Sequence, residues 1–111
     1  MEVLETIKQQ LSDNIIILYM KGTPERPQCG FSARAVQCLQ ECGVAFAAID
    51  VLANPEIRQA LPVYSDWPTF PQLYVQSELI GGSDILADMH AQGELSPLFH
   101  NAINSNQGEA T

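Results

Sequence analysis

Hydrophobic positions in the first half of the chain alternate between helical spacing and short continuous runs. Residues 2–12 place their apolar side chains on one face, which predicts a helix. The run over residues 15–20 is apolar without alternation, which is typical of a central strand covered on both faces. Helical spacing resumes near Cys29 and continues to about Cys42, with Gly43 as a natural C-terminal cap. The predicted inner face of this second helix consists of Phe31, Ala35, Cys38 or Leu39, and Cys42.

The second half of the chain continues these patterns. A strand over residues 45–51 completes a strand–helix–strand unit, so the two strands are expected to be parallel with a right-handed crossover. Asn54 and Pro55 predict the start of a third helix, as cap and first-turn residue. Its predicted buried face consists of Ile57, Ala60, Leu61 and Tyr64. The remaining predicted elements are an antiparallel hairpin of strands 72–75 and 78–81, a helix that ends at Gly93, and a last helix over about 95–103.

This order of elements predicts an α/β protein with a thioredoxin-like fold. In that arrangement a parallel βαβ unit and an antiparallel hairpin form a four-stranded mixed sheet, with helices on both faces. One domain is expected over residues 1–103, because 111 residues supply a single hydrophobic core. Residues 104–111 are polar and are predicted to form a disordered tail.

Composition argues against several classes of partner. A formal net charge of -8 disfavours nucleic acid or an anionic membrane as the main partner. The longest apolar run is far below the roughly 20 residues that span a bilayer. Residues 1–5 lack the apolar core of a secretory signal. Since the three cysteines are an odd number without such a signal, a reducing, cytoplasmic setting is expected.

Cys29 is the strongest candidate for chemistry, because it lies where a buried strand ends and a helix begins. Free N–H groups and the positive end of the helix dipole lower the pKa of a thiol there and favour the reactive thiolate. Ser32 stands where a dithiol redox protein has its second cysteine, and it can donate a hydrogen bond but cannot resolve a mixed disulfide. Cys38 and Cys42 lie too far along the helix to reach Cys29, so they are expected to pack. Solvent exposure is expected for His90 and His100.

Basic residues concentrate near this cysteine. Lys21, Arg26 and Arg34 flank Cys29, and folding can bring Arg58 close. Two interpretations of these charges stay open. They are either surface charges that keep the chain soluble, or a cationic ring suited to a small anionic ligand.

Two further stretches indicate a site for a peptide-like ligand. Phe70-Pro71 is a candidate for a cis peptide bond, which in thioredoxin-like proteins lies opposite the active cysteine and frees the preceding backbone for an extended peptide. Gly81-Gly82-Ser83-Asp84 is either only a turn and helix cap, or a segment whose amides bind a carboxylate while Asp84 binds an ammonium group. Arg58 and Lys21 suit a second carboxylate. Glutathione, with one amine, two carboxylates and one thiol, fits this set.

Together these motifs resemble the monothiol (CGFS-type) glutaredoxin family, over roughly residues 3–103. The resemblance rests on Lys21-Gly22, Cys29-Gly30-Phe31-Ser32, Trp67-Pro68-Thr69-Phe70-Pro71-Gln72 and Gly81-Gly82-Ser83-Asp84. It implies that Cys29 ligates a [2Fe–2S] cluster. It also implies that Lys21, Arg58, the Phe70 backbone and the Ser83-Asp84 segment hold glutathione. Many members have a cysteine at the position of Ser83 that in some of them pairs with the active cysteine, and this chain lacks that option.

Three hypotheses for the function follow. The leading one is a carrier that passes a [2Fe–2S] cluster to apo-proteins. Because such a cluster takes four thiolates, two chains and two glutathiones would complete the set in a homodimer. The resemblance adds BolA-like proteins as alternative partners. The second hypothesis is a glutathione-dependent oxidoreductase that acts through one thiol, with weak activity expected, and the third is a redox sensor whose thiol is reversibly capped.

Overall fold

Over residues 2–109, which the computed structural model describes, the chain forms five helices and four strands in the predicted order. The helices are α1 (Glu2–Asp13), α2 (Gly30–Glu41), α3 (Pro55–Ser65), α4 (Ser83–Ala91) and α5 (Leu95–Glu109). The strands are β1 (Ile16–Met20), β2 (Ala47–Asp50), β3 (Gln72–Val75) and β4 (Glu78–Gly81). Pro55 occupies the first turn of α3. A backbone N–H at that position would have no partner within the helix, so the N–H that proline lacks costs no hydrogen bond.

The strands form one mixed sheet in the order β2-β1-β3-β4. β1 and β2 are parallel, whereas β3 is antiparallel to both β1 and β4. The turn between β3 and β4 has positive φ at both central residues, 52° at Gln76 and 67° at Ser77. That backbone follows the twist of the two strands, although side-chain-bearing residues adopt it less readily than glycine or asparagine. The predicted thioredoxin-like architecture is therefore confirmed.

Helices cover both faces of the sheet because the side chains of β1 alternate between them. Ile16, Leu18 and Met20 pack in a core with residues of α2, α4 and α5. Ile17 and Tyr19 pack on the other face with residues of α1 and α3. All five residues of β1 are buried, as its continuous apolar run predicts. β1 thus holds the two layers together, and its C-terminal end leads directly to the cysteine-bearing loop.

Two predicted buried positions are instead exposed. Phe31 is 60% exposed, because the buried face of α2 is turned by one residue and contains Ser32 instead. Tyr64 is 41% exposed, which suits a side chain whose hydroxyl end gains from contact with water. The prediction that these two aromatic residues are core residues is wrong. The buried residues of α2 are Ser32, Ala35, Val36, Cys38 and Leu39.

The C-terminal helix is longer than predicted. α5 continues to Glu109, so residues 104–109 are helical where the sequence predicted a disordered tail. Buried Leu95, Phe99 and Ala102 anchor the helix, and each further residue then adds one backbone hydrogen bond without a new nucleation cost. The rest of the predicted tail, residues 110–111, lies outside the described residues. None of the helices in the described range is long and apolar enough to cross a membrane.

Candidate functional site

A tight loop between β1 and α2 presents Cys29. Gly22 has a φ of 92°, and a Cβ at that position would lie 2.5 Å from the carbonyl oxygen of Arg26. The loop closes when the Gln28 N–H donates to the Lys21 carbonyl at 2.9 Å. The Gly22 N–H donates to Asp50 Oδ1 at 2.9 Å, which ties the loop to the end of β2. A residue without a side chain is therefore required where the loop folds back on itself.

The N-terminus of α2 surrounds the Cys29 sulfur with hydrogen-bond donors. Cys29 is the N-cap residue and has an extended backbone; its sulfur makes no capping hydrogen bond but lies beside the free N–H groups of the first turn. The pKa of its thiol is lowered, chiefly by the backbone N–H of Ser32, and further by the Phe31 N–H, the Ser32 hydroxyl and the charge of Lys21. Partial burial opposes this shift. The thiolate expected from the sequence is thus favoured by the surrounding protein.

Ser32 also fixes the helix against the sheet. Its side chain is fully buried, and its hydroxyl oxygen accepts a hydrogen bond from the Lys21 N–H at 3.0 Å. Because a serine hydroxyl both donates and accepts, its proton stays available for the Cys29 sulfur. The residue that replaces a second cysteine therefore joins β1 to α2 and adds a donor to the thiolate.

The segment before β3 forms the wall opposite Cys29. The Phe70–Pro71 peptide bond is cis, as predicted. Gln72 is fully buried and its Nε2 donates to the carbonyl oxygens of Trp67 at 2.8 Å and Thr69 at 3.1 Å. Its Oε1 accepts a hydrogen bond from the Tyr74 hydroxyl at 2.9 Å. One glutamine side chain therefore holds two backbone carbonyls of this segment in place.

The N-terminus of α4 forms the third wall, and two buried donors without a protein partner lie in the cavity lining, one on α4 and one on the segment before β3. Among the described residues, Ser83 Oγ and Trp67 Nε1 are both buried and make no hydrogen bond. Gly82 allows the chain to pass closely, since a Cβ there would lie 3.2 Å from the Pro71 carbonyl oxygen. Asp84 is exposed and lies 3.5 Å from Arg34 of α2. Unpaired donors beside free helix amides are the features of a site for an anionic group.

These walls enclose a cavity of about 740 Å³ that contains every predicted site residue. Lys21 and Arg58 supply positive charge, whereas Arg26 does not contribute to the lining. α2 and α4 lie side by side, with Arg34 near Asp84 at one end and Glu41 near His90 at the other. Both N-termini therefore point toward the cavity. The complete lining is Lys21, Cys29, Phe31, Arg58, Pro62, Trp67, Pro68, Thr69, Phe70, Pro71, Gly82, Ser83, Asp84 and Ile85.

A family model described as Glutaredoxin matches residues 16–80, which include Cys29 and the segment of Phe70 and Pro71. The chain belongs to the glutaredoxin family. It is 70% identical over 87 residues to a protein named probable monothiol glutaredoxin GrlA from Legionella pneumophila, covering 78% of this chain and 98% of the relative. It is 56% identical over 96 residues to glutaredoxin 4 of Escherichia coli K12, and the match covers 86% of this chain and 84% of that relative. The solution structure of reduced poplar apo GrxS14 matches with a TM-score of 0.79 and 40% identity, and the match covers 91% of this chain and 93% of that chain.

In this glutaredoxin the sequence missed three cavity residues, Phe31, Pro62 and Ile85, and one contact. Phe31 lines the cavity next to Cys29. One signal could have shown this: Ser32 lies three and four residues before the buried residues Ala35 and Val36, so Ser32, and not Phe31, shares their face of the helix. His90 is partly exposed, and its ring also contacts Glu41 and Cys42, which the sequence did not predict. His100 is exposed, as predicted.

Proposed function

We propose that this glutaredoxin binds glutathione in the cavity and uses Cys29 to hold a [2Fe–2S] cluster that it passes to apo-proteins. The observation that carries the proposal is a thiol of lowered pKa in a cavity with cationic side chains and unpaired helix-terminal donors. Lys21 and Arg58 suit one carboxylate of glutathione. The amides at Ser83 and Asp84 suit the other, the Asp84 carboxylate suits the amine, and the Phe70 backbone suits the extended peptide. The crystal structure of a buckwheat glutaredoxin contains glutathione, and that protein has the same fold.

The number of available sulfurs supports the dimeric form of this proposal. Cys29 lines the cavity, whereas Cys38 is buried in the core and Cys42 lies at the far end of α2. No group of three His, Cys, Asp or Glu side chains among the described residues is arranged so that it could hold a metal ion. A [2Fe–2S] cluster takes four thiolates. One chain with one glutathione supplies two, so a second chain with its own glutathione completes the set.

Anaerobic reconstitution tests the proposal. The apo protein is incubated with iron, sulfide and glutathione, and the visible absorption of the cluster is measured after desalting. Native protein should acquire about one cluster per two chains, and omission of glutathione or the change Cys29→Ser should reduce this to background. Cys38→Ala is the matched control, since Cys38 lies outside the cavity and should leave the yield unchanged. A Cys29→Ser protein with the native cluster absorbance would sink the proposal.

The low pKa of Cys29 favours a second candidate function, a glutathione-dependent oxidoreductase that removes glutathione from mixed disulfides. A thiolate attacks disulfides readily, and a second glutathione would release the first. Turnover of a small glutathione mixed disulfide distinguishes the two functions. Rates comparable to those of a dithiol glutaredoxin would favour the oxidoreductase, whereas weak turnover with a high cluster yield favours the carrier.

Partners and location belong to the same proposal. A BolA-like protein would take the place of the second copy and supply ligands of its own. The described chain has three free cysteines, which agrees with function in the reducing cytoplasm. The net charge of -8 disfavours nucleic acid and anionic membranes as partners.

A further inference from the structure

A second thiol cluster lies where α2 ends, well apart from the glutathione cavity. Cys42 is the C-cap residue of α2, and its Sγ lies 3.9 Å from Nδ1 of His90 in α4. The other ring nitrogen of His90, Nε2, lies 2.7 Å from Glu41 Oε1. The His90 ring therefore connects the Cys42 sulfur to the Glu41 carboxylate through two consecutive contacts. The half-buried thiol and the partly exposed ring are accessible to a small solute.

The carboxylate determines which ring nitrogen carries the proton. The pKa of Glu41 is lowered, chiefly by its hydrogen bond with His90 and also by the Gln37 amide, so Glu41 is ionised and acts only as an acceptor. Nε2 of His90 must then donate to it. In the neutral ring Nδ1 is left without a proton and can accept one from the thiol. This series is the arrangement that activates a nucleophile through an oriented base.

Cys42 is held as a thiol until it reacts. Burial raises the pKa of the Cys42 thiol, and the nearby Cys38 and Glu41 raise it further. A thiol of this kind reacts slowly with disulfides unless a base removes its proton during the attack. The position of His90 supplies such a base. The two cysteines at opposite ends of α2 thus differ, since Cys29 is stabilised as a thiolate and Cys42 is not.

We propose that Cys42 is a second modification site, at which His90, oriented by Glu41, accepts the thiol proton while the sulfur attacks a cationic low-molecular-weight disulfide. The Cys42 S–H bond breaks and a bond forms from Cys42 Sγ to one sulfur of the reagent. The reagent's disulfide bond breaks, and its other sulfur leaves as a thiolate that takes the proton from His90. Cys42 is oxidised, half of the reagent is reduced, and a mixed disulfide remains on the protein.

Charge decides the preferred reagent. Glu41 contributes negative charge next to the sulfur, and all of the Lys and Arg residues lie at positions 8, 21, 26, 34 and 58, none of them within α4 or the last turn of α2. Lys21 and Arg58 instead line the Cys29 cavity. An anionic disulfide such as oxidised glutathione is therefore disfavoured at Cys42, whereas a diamino disulfide such as cystamine is favoured.

The test uses full-length Cys29→Ser/Cys38→Ala protein, in which Cys42 is the remaining thiol. The rate of adduct formation with cystamine is measured by intact mass, with circular dichroism as a check of folding. We expect His90→Gln to reduce this rate by about a hundredfold, the low end of what a positioned base supplies. Glu41→Gln should reduce it less, and free imidazole should partly restore it in a His90→Ala protein. His100→Gln is the matched control, because that exposed histidine bonds only Ser96 among the described residues.

The alternative role of the His90–Glu41 pair is an inter-helix contact that merely shields Cys42. Its loss would then expose the sulfur and raise the rate. An unchanged or faster reaction of the His90→Gln protein overturns the proposal, as does a failure of imidazole to restore the His90→Ala rate. Faster reaction with oxidised glutathione than with cystamine overturns the proposed reagent class.

Discussion

The sulfur of Cys29 lies against the first turn of α2, where the donors are mainly backbone atoms. The Ser32 N–H has the largest effect on its pKa, whereas the Ser32 hydroxyl and Lys21 have smaller ones. A backbone donor is present at this position whatever side chain residue 32 carries, provided that it is not proline. The replacement of a second cysteine by serine therefore removes the resolving thiol while the activation of the first is kept.

Ser32→Ala should consequently retain much of the activation of Cys29. The hydroxyl donor is lost, so the pKa of Cys29 should rise, but the backbone N–H groups of Ser32 and Phe31 remain. Iodoacetamide alkylation measured against pH should give a midpoint between that of native protein and that of a free cysteine. At pH 7 the variant should react more slowly than native protein, because a smaller fraction is thiolate. Ser96→Ala serves as a distant control, and a Ser32→Ala midpoint equal to that of free cysteine would contradict the assignment to backbone donors.

At the scale of single elements, the segment before β3 depends on a polar side chain inside the core. Gln72 binds the carbonyls of Trp67 and Thr69 and the hydroxyl of Tyr74. Those three groups lose a partner if residue 72 becomes apolar. The Tyr74 contact is buried and the two carbonyl contacts are partly buried, and an unpaired buried group costs on the order of 1–3 kcal/mol. The backbone of Phe70 directly follows the Thr69 carbonyl that Gln72 holds, so the glutamine also orders the cavity wall.

Gln72→Leu should therefore lower the free energy of unfolding by about 3 kcal/mol, a large part of the 5–15 kcal/mol of an ordinary domain. Urea denaturation measures the change. The matched control is Gln59→Leu, because Gln59 is exposed on α3 and its replacement should change stability by roughly 0.5 kcal/mol or less. Equal effects of the two substitutions would show that the buried hydrogen bonds contribute little.

Sequence periodicity predicted every helix and strand, because each element buries an apolar stripe or run that its own residues reveal. It failed where contacts between residues distant in sequence decide whether a side chain is buried and what it touches. Ser32 is buried because it bonds Lys21, and nothing in the spacing of apolar residues around Phe31 shows that bond. His90 contacts Glu41 and Cys42 only because α4 packs beside α2. The residues that line the cavity were predictable where they lie at strand ends and helix starts that this topology brings together.

At the scale of the whole molecule, the residues that the structure describes offer little continuous apolar surface for a stable apo dimer. The exposed large apolar residues Leu4, Phe31, Leu52, Val63 and Tyr64 are distributed over α1, α2, α3 and the segment after β2. A specific interface buries about 1,200–2,000 Å², with apolar residues at its centre. Of these five exposed residues, Phe31 alone lines the cavity, beside Cys29. Shared cluster ligands, more than surface contact, would therefore hold two copies together.

This argument predicts that oligomeric state follows the cluster. Apo protein should elute in anaerobic size-exclusion chromatography with light scattering at the mass of one chain, 12.2 kDa, and reconstituted protein at about twice that mass. Removal of iron with a chelator should return the dimer to monomer. Cys29→Ser should stay monomeric under reconstitution, whereas Cys38→Ala, with its cavity intact, should dimerise as native protein does. A dimer that persists after loss of the cluster would mean that the protein surface, and not the shared thiolates, holds the two chains.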